Sequence, residues 1–224
     1  MTPRGRTAPQ RRSADRKPRE ERWSEIVKVA TDVFYEKGYE ASTLQDIGDR
    51  LGMLKGSLYY YIQTKEDLLY AIVSEVFETG LSNIERLAAG EGSALERLRN
   101  VIIGHIEHEC ANLAGTAVLL HEFGSLPEAR RIEVIGEGHA YRATLIDLLE
   151  SGQKEGVIRS DLDPKLASLS ILGSVNWAYR WYEPHGEYTP REIGVQFADL
   201  IIRGLPAEPS EAPQPPKRGR RVPA

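Results

Sequence analysis

The stretch TLQDIGDRLGMLKGSLYYYI, Thr43 to Ile62, gathers groups suited to one kind of chemistry. Lys55, Gly56, Ser57, Tyr59, Tyr60 and Tyr61 follow Gly52 within about two helical turns. That is too many polar and hydroxyl-tipped groups for a core helix. It suits a helix that enters a DNA major groove. Short donors reach base edges and phosphates there, and Gly56 and Ser57 let the backbone come close. Tyrosines offer a flat ring to thymine methyls and a hydroxyl to phosphate oxygens. Ile47, Leu51 and Leu58 are spaced to lock this helix onto the short one before it.

The other reactive residues form no constellation. His105, His108 and Cys110 share one predicted helix with Glu107 and Glu109 between them. His105 and His108 are three apart, but Cys110 is off their face, so no metal site is expected. Gly136-Glu-Gly138 has no strand before it and no third glycine at the spacing of a nucleotide loop. No Ser–His–Asp set or carboxylate pair can share a face, so neither catalysis nor a cofactor is expected. A single cysteine excludes an internal disulfide and a Cys-based zinc finger, which fits the reducing cytoplasm. No apolar run approaches the roughly 20 residues of a membrane helix, and the basic N-terminus has no apolar segment behind it.

The elements that must position the Thr43–Ile62 segment are helical. Trp23, Ile26, Val27, Ala30, Val33 and Phe34 recur at helical spacing. Thr43 with Asp46, and Thr64 with Asp67, read as N-caps with reciprocal carboxylates. A short helix over Lys55 to Ile62 and a longer one from Thr64 past Ile84 follow. Further helices are predicted from Ser93 to Leu113, Thr116 to Phe123, Pro127 to Gly152, Asp163-Pro164 to Tyr182, and Thr189-Pro190 to Gly204. No stretch alternates as a strand would. The chain of 224 residues is 41% hydrophobic and 28% charged, ordinary globular values. It is predicted to be all-α with about nine helices.

Charge is uneven. The net charge is −4, yet residues 1–22 carry +5, residues 206–224 carry +2, and the stretch between carries −11. A basic arm on an acidic body suggests that one end meets a polyanion; a solvated leader would have the same composition. Residues 1–19 and 206–224, the latter with six prolines, have little to bury and are expected to be disordered.

Over residues 20–80 the chain resembles the TetR family of one-component bacterial regulators. The likeness is carried by GYEASTLQDIGDRLGMLKGSLYYYIQTKEDLL, Gly38 to Leu69. It implies a three-helix helix-turn-helix DNA-binding domain at 20–80 and a helical ligand-binding and dimerisation domain at 81–205. It further implies that Thr43 and Lys65 hold phosphates, and that Gln45, Lys55, Gly56, Ser57, Tyr59, Tyr60 and Tyr61 face DNA. Two positions depart from the family pattern. Leu54 stands where a Ser or Thr caps the recognition helix, and Tyr61 stands where His or another polar residue is usual.

Residues 166–182 are apolar nearly all round, so that helix must be buried on more than one side, as a dimer seam would require. Asn176, Trp177, Arg180 and Trp181 lie on it. They form either an aromatic seam or a ligand wall that stacks a flat group and pairs an anion. Arg142 and Arg180 sit against apolar neighbours; each would pair with a carboxylate such as Glu109 or Glu183, or with a ligand anion. Residues 176–205 resemble TetR regulators of fatty-acid and steroid catabolism, which respond to acyl-CoA thioesters. The resulting expectation is a cytoplasmic homodimeric repressor on a palindromic operator, released by an acyl-CoA-type effector held between helices 93–113, 127–151 and 164–182. Two other readings are a non-catalytic architectural DNA-binding protein and an efflux regulator answering a hydrophobic drug-like ligand.

Overall fold

The computed structural model describes residues 18–205. The expected arm (1–19), apart from its last two residues, and the tail (206–224) lie outside them. The described residues form nine α-helices and no strand. They are α1 (Arg19–Lys37), α2 (Leu44–Leu51), α3 (Lys55–Leu58), α4 (Lys65–Ala88), α5 (Ala94–Ala111), α6 (Leu113–Glu122), α7 (Glu128–Lys154), α8 (Pro164–Val175) and α9 (Pro190–Ile202).

The helix starts are written in the sequence. Thr43, Thr64, Ser93 and Thr189 each accept the N–H of an acidic residue three positions on. That residue's carboxylate accepts the capping residue's own N–H, so two otherwise unpaired donors are satisfied. Asp163 caps α8 ahead of Pro164 in the same role. Between α2 and α3 the chain reverses at Gly52, whose φ of 64° and ψ of 28° place it in the left-handed region that favours glycine.

Two apolar clusters result. The first joins α1 to α4, with Ile26, Phe34, Ile47, Leu58 and Leu68 buried. It extends to Val118 and Leu119 of α6 and Val134 of α7. The second lies among α5, α7, α8 and α9 around Leu98, Ile102, Ile106, Leu145 and Leu149. α4 contributes to both, with Leu69 and Ile72 in one and Ile84 in the other.

Two expectations are corrected. The second short helix stops at Leu58, not Ile62. Beyond it the N–H groups of Tyr60 and Tyr61 donate to the carbonyls of Ser57 and Leu58, a tighter turn. The helix expected through Tyr182 ends at Val175. Asn176 follows, and Ala178–Arg180 wind as a 3₁₀ turn. The tighter turn buries Ala178 completely and lets the Tyr179 hydroxyl reach His121 Nε2 at 2.8 Å. An apolar-all-round pattern carries no mark of where the winding changes.

α9 presses onto α5 through Gly194. A Cβ built there would stand 3.0 Å from Ile103 Cα and 3.2 Å from its carbonyl oxygen, both backbone atoms that cannot rotate away. Gly194→Ala is therefore expected to destabilise the fold by about 1–3 kcal/mol, the usual cost of overpacking. A thermal melt lowered by several degrees would confirm it, and an unchanged midpoint would refute the close crossing.

Candidate DNA-binding surface and ligand cavity

The segment after Gly52 turns its polar groups outward. Leu58 is fully buried, while Gly56, Ser57, Tyr59 and Tyr60 are exposed, Tyr60 at 71%. Tyr61 is half-buried beside the α1 core and meets Tyr60 edge-on at 5.2 Å. Lys55 opens α3. Leu54, at the position of the missing cap, is 81% exposed, so no packing replaces the lost hydroxyl. Leu54, Ser57 and Tyr60 follow one another at three-residue intervals, and Arg19 stacks over the Tyr60 ring at 5.7 Å.

α2 carries the supporting polar groups. Gln45 is exposed and donates to Asp49 at 2.6 Å. The Thr43 hydroxyl is engaged within its capping box, donating to Asp46 at 2.7 Å. Asp46 also receives Lys37 at 2.6 Å. That hydrogen bond, with those from Thr43, holds its carboxyl down to about 2. Arg50 binds Glu36 with both arms, at 2.7 and 2.8 Å. Lys37 and Arg50 are thus already paired.

Lys65, expected at a phosphate, is engaged within the protein. Its ammonium donates to the carbonyls of Tyr39, Ser42 and Glu40, the last two at 3.0 and 3.3 Å, and lies 4.2 Å from the Tyr39 ring centroid. It ties the first turn of α4 to the loop that leads into α2.

A cavity of about 440 Å³ lies among α4, α5, α6, α7 and α8. Val76, Phe77, Leu119, Phe123 and Leu172 supply apolar wall. Leu120, Ile135 and His139, the exposed members of the lining, mark its mouth. Its buried side is polar. The Tyr141 hydroxyl bonds His105 Nδ1, and His105 Nε2 stands 3.1 Å from Glu109 Oε1. That approach is close enough for a charge contact but too misaligned for a hydrogen bond. Burial and the Glu109 charge raise the Tyr141 phenol far above its ordinary range, so it keeps its proton and donates to Nδ1. With Nδ1 engaged by Tyr141, a ring proton is assigned to Nε2, beside the Glu109 carboxylate. Burial, and then the neighbouring His105, push His108 below the usual imidazole value, which keeps it neutral at physiological pH.

Of the residues singled out for ligand contact, Asn176 lines this cavity, whereas Arg142, Trp177, Arg180 and Trp181 do not. Trp177, Arg180 and Trp181 are exposed, Trp181 stacking on Phe197 of α9 at 6.2 Å, and Arg142 is half-buried. Sequence reasoning missed His105, Glu109, Thr116 and Tyr141. The signal was present for Glu109. Leu98, Ile102, Ile106 and Glu109 follow at four, four and three residues, which puts a carboxylate on the apolar stripe of α5.

Two walls of the cavity touch the α1–α3 unit, and a third touches the start of α4. α4 does so through Lys65. On α6, Glu122 accepts the Tyr39 N–H at 3.1 Å. On α7, Arg130 pairs with Glu66 at 3.1 Å and Asp67 at 2.5 Å, and covers the Tyr70 ring at 4.9 Å. On the far side of the body, α8 and its continuation leave Leu166, Leu169 and Trp177 exposed, and α9 leaves Leu200 73% exposed. No helix among the described residues is long and apolar enough to cross a membrane.

Residues 26–72 match the family model for bacterial regulatory proteins of the tetR family, and residues 91–205 match that for a tetracyclin repressor-like C-terminal domain. The HTH-type transcriptional repressor KstR2 of Mycobacterium tuberculosis is 28% identical over 190 residues, 84% of this chain and 94% of that protein. A solved TetR/AcrR-family regulator from Thermobifida fusca is 35% identical, with a TM-score of 0.66 over 82% of this chain and 98% of that one. AibR, solved in complex with isovaleryl coenzyme A and operator DNA, is 27% identical, with a TM-score of 0.72 over 82% and 97%.

If Lys65 is a structural clamp, Lys65→Met lowers the melting temperature of the DNA-free protein by several degrees. Charged hydrogen bonds are worth about 1.5–3 kcal/mol. A phosphate ligand alone would leave that melt unchanged and weaken only DNA binding.

Proposed function

The chain belongs to the TetR family of bacterial regulatory proteins, and on that premise we propose that it is a ligand-responsive repressor. It binds a palindromic operator as a homodimer and leaves it when an acyl-CoA thioester fills the cavity. The observation that carries this reading is the double use of α4. Val76, Phe77 and Gly80 of that helix line the cavity, while its first turn clamps the loop before α2. A ligand that moves α4 therefore moves the DNA-reading unit.

The DNA face consists of α3 and its continuation, with Lys55, Gly56, Ser57, Tyr59 and Tyr60 at base edges and backbone. Gln45 and Thr43 flank it from α2, and Tyr61 supports Tyr60 from within. Because Lys37 and Arg50 are internally paired, the +5 of residues 1–22 supplies much of the charge that meets phosphates. The homodimer forms through the exposed apolar faces of α8 and α9, including Trp177 and Trp181. That arrangement sets two recognition segments about one helical turn of DNA, roughly 34–36 Å, apart.

The effector class rests on the similarity to AibR, whose complex holds isovaleryl coenzyme A, and on a largely apolar cavity with an open mouth. The acyl part enters, and the coenzyme stays outside, where Arg142 and Arg180 are the candidate partners for its phosphates. Ligand then favours the state in which the two recognition segments no longer fit successive grooves. No catalysis is needed, and the protein acts in the cytoplasm.

A mobility-shift assay on an inverted repeat tests the proposal. The unaltered protein shifts the repeat, Tyr60→Ala does not, and micromolar dodecanoyl-CoA, but not free CoA, releases it. Retention of the shifted band across a panel of acyl-CoA esters would remove the effector class. The Arg130 contacts give a second expectation. Arg130→Gln binds operator and acyl-CoA but needs at least about tenfold more ligand for release, a coupling change of ordinary size. Equal release would mean that α7 does not carry the signal.

A further inference from the structure

Among the described residues, seven buried side-chain polar atoms have no hydrogen-bond partner in the protein, and four of them belong to the walls of one cavity. They are His105 Nε2, Glu109 Oε2, Thr116 Oγ1 and Asn176 Oδ1. Glu109 is 7% exposed and Thr116 3%. α5 brings His105 and Glu109 one turn apart, α6 brings Thr116, and Asn176 follows α8. A wall built for a plain alkyl chain has no use for these groups. Each loses its hydration on burial and gains no hydrogen bond in return, His105 Nε2 having only its charge contact with Glu109 Oε1.

We infer that the acyl part of the effector carries a hydroxyl group, read by Glu109, Thr116, Asn176 and His105. The inference rests on the reading of this cavity as the effector site. The unpaired set determines the chemistry. Glu109 Oε2 and Asn176 Oδ1 only accept, the Nε2 proton of His105 only donates, and the Thr116 hydroxyl does either. A ligand carbonyl accepts from His105 or Thr116 and leaves the carboxylate oxygen orphaned. An ammonium donates to the carboxylate and leaves the imidazole orphaned. A hydroxyl donates to one and accepts from the other. The apolar walls around Val76, Phe77, Leu119 and Leu172 hold the rest of the chain.

Calorimetric titration of the full chain with dodecanoyl-CoA and its 3-, 8- and 12-hydroxy counterparts tests the inference. One hydroxy isomer is expected to bind at least about tenfold tighter than the unsubstituted ester, since a site built around a hydroxyl discriminates against its absence. In Thr116→Val and in Glu109→Gln that ratio falls to near one; melting curves establish that each variant is folded. Equal affinity for all four esters in the unaltered protein overturns the inference and leaves the acyl-CoA reading standing. If none of the four binds and none releases operator, the effector class falls and the inference falls with it. The ligand comparison needs no variant, so a variant that fails to fold does not block the result.

Discussion

One ammonium group fixes the start of α4 against the loop that leads into α2. Among the described residues Lys65 meets no carboxylate; it collects three carbonyls from the loop between α1 and α2 and rests on the Tyr39 ring. The Tyr39 carbonyl also accepts from the Ser42 N–H and hydroxyl, so that turn and Lys65 together shape the loop that leads into Thr43. The capping box at Thr64 fixes where α4 begins, and hence where Lys65 stands. From that point α4 runs 24 residues, about 36 Å, into the second core. The cavity, the recognition segment and the body are all placed relative to this helix.

Arg130 makes the same junction sensitive to α7. It binds Glu66 and Asp67, the two residues after Lys65. Asp67 is also the carboxylate of the α4 capping box, so one side chain serves the helix start and the inter-helix contact together. Displacing α7 perturbs α4 at its first turn, where helical hydrogen bonds are fewest. α7 also supplies Tyr141, Gly138 and Ile135 to the cavity, so one rigid element links the ligand wall to the clamp.

Much of this was legible in the sequence, and for local reasons. Capping boxes, Pro164 and Pro190 at helix starts, and the turn at Gly52 depend on neighbours within a few residues. The inward Leu58 follows from its spacing with Ile47 and Leu51. The cavity was less legible because its polar side is assembled from separate helices, and only the misplaced Glu109 betrayed it locally. Arg142 and Arg180 drew attention as cations among apolar residues, yet neither reaches the cavity lining. Sequence gives the neighbours along the chain and not those across it. The carbonyl partners of Lys65 were hidden for the same reason, since they lie more than 20 residues earlier.

The capping boxes also tie the fold to proton concentration. Asp46, Asp67, Glu96 and Glu192 all sit below their ordinary carboxyl values. For Asp46 the leading cause is the Lys37 hydrogen bond, and for Glu96 and Glu192 it is the backbone N–H of the capping residue. Asp67 is lowered by Arg130 and Thr64 against the opposing effect of its burial. A carboxyl that is more acidic folded than unfolded stabilises the native state above its unfolded value, near pH 4, and that contribution fades as pH falls toward the folded value. Acidification below about pH 4 thus loosens four helix starts, and two of them flank the recognition segment. The DNA-reading unit, with α2 and α4 both begun by such boxes, holds two of the four within one short stretch of chain.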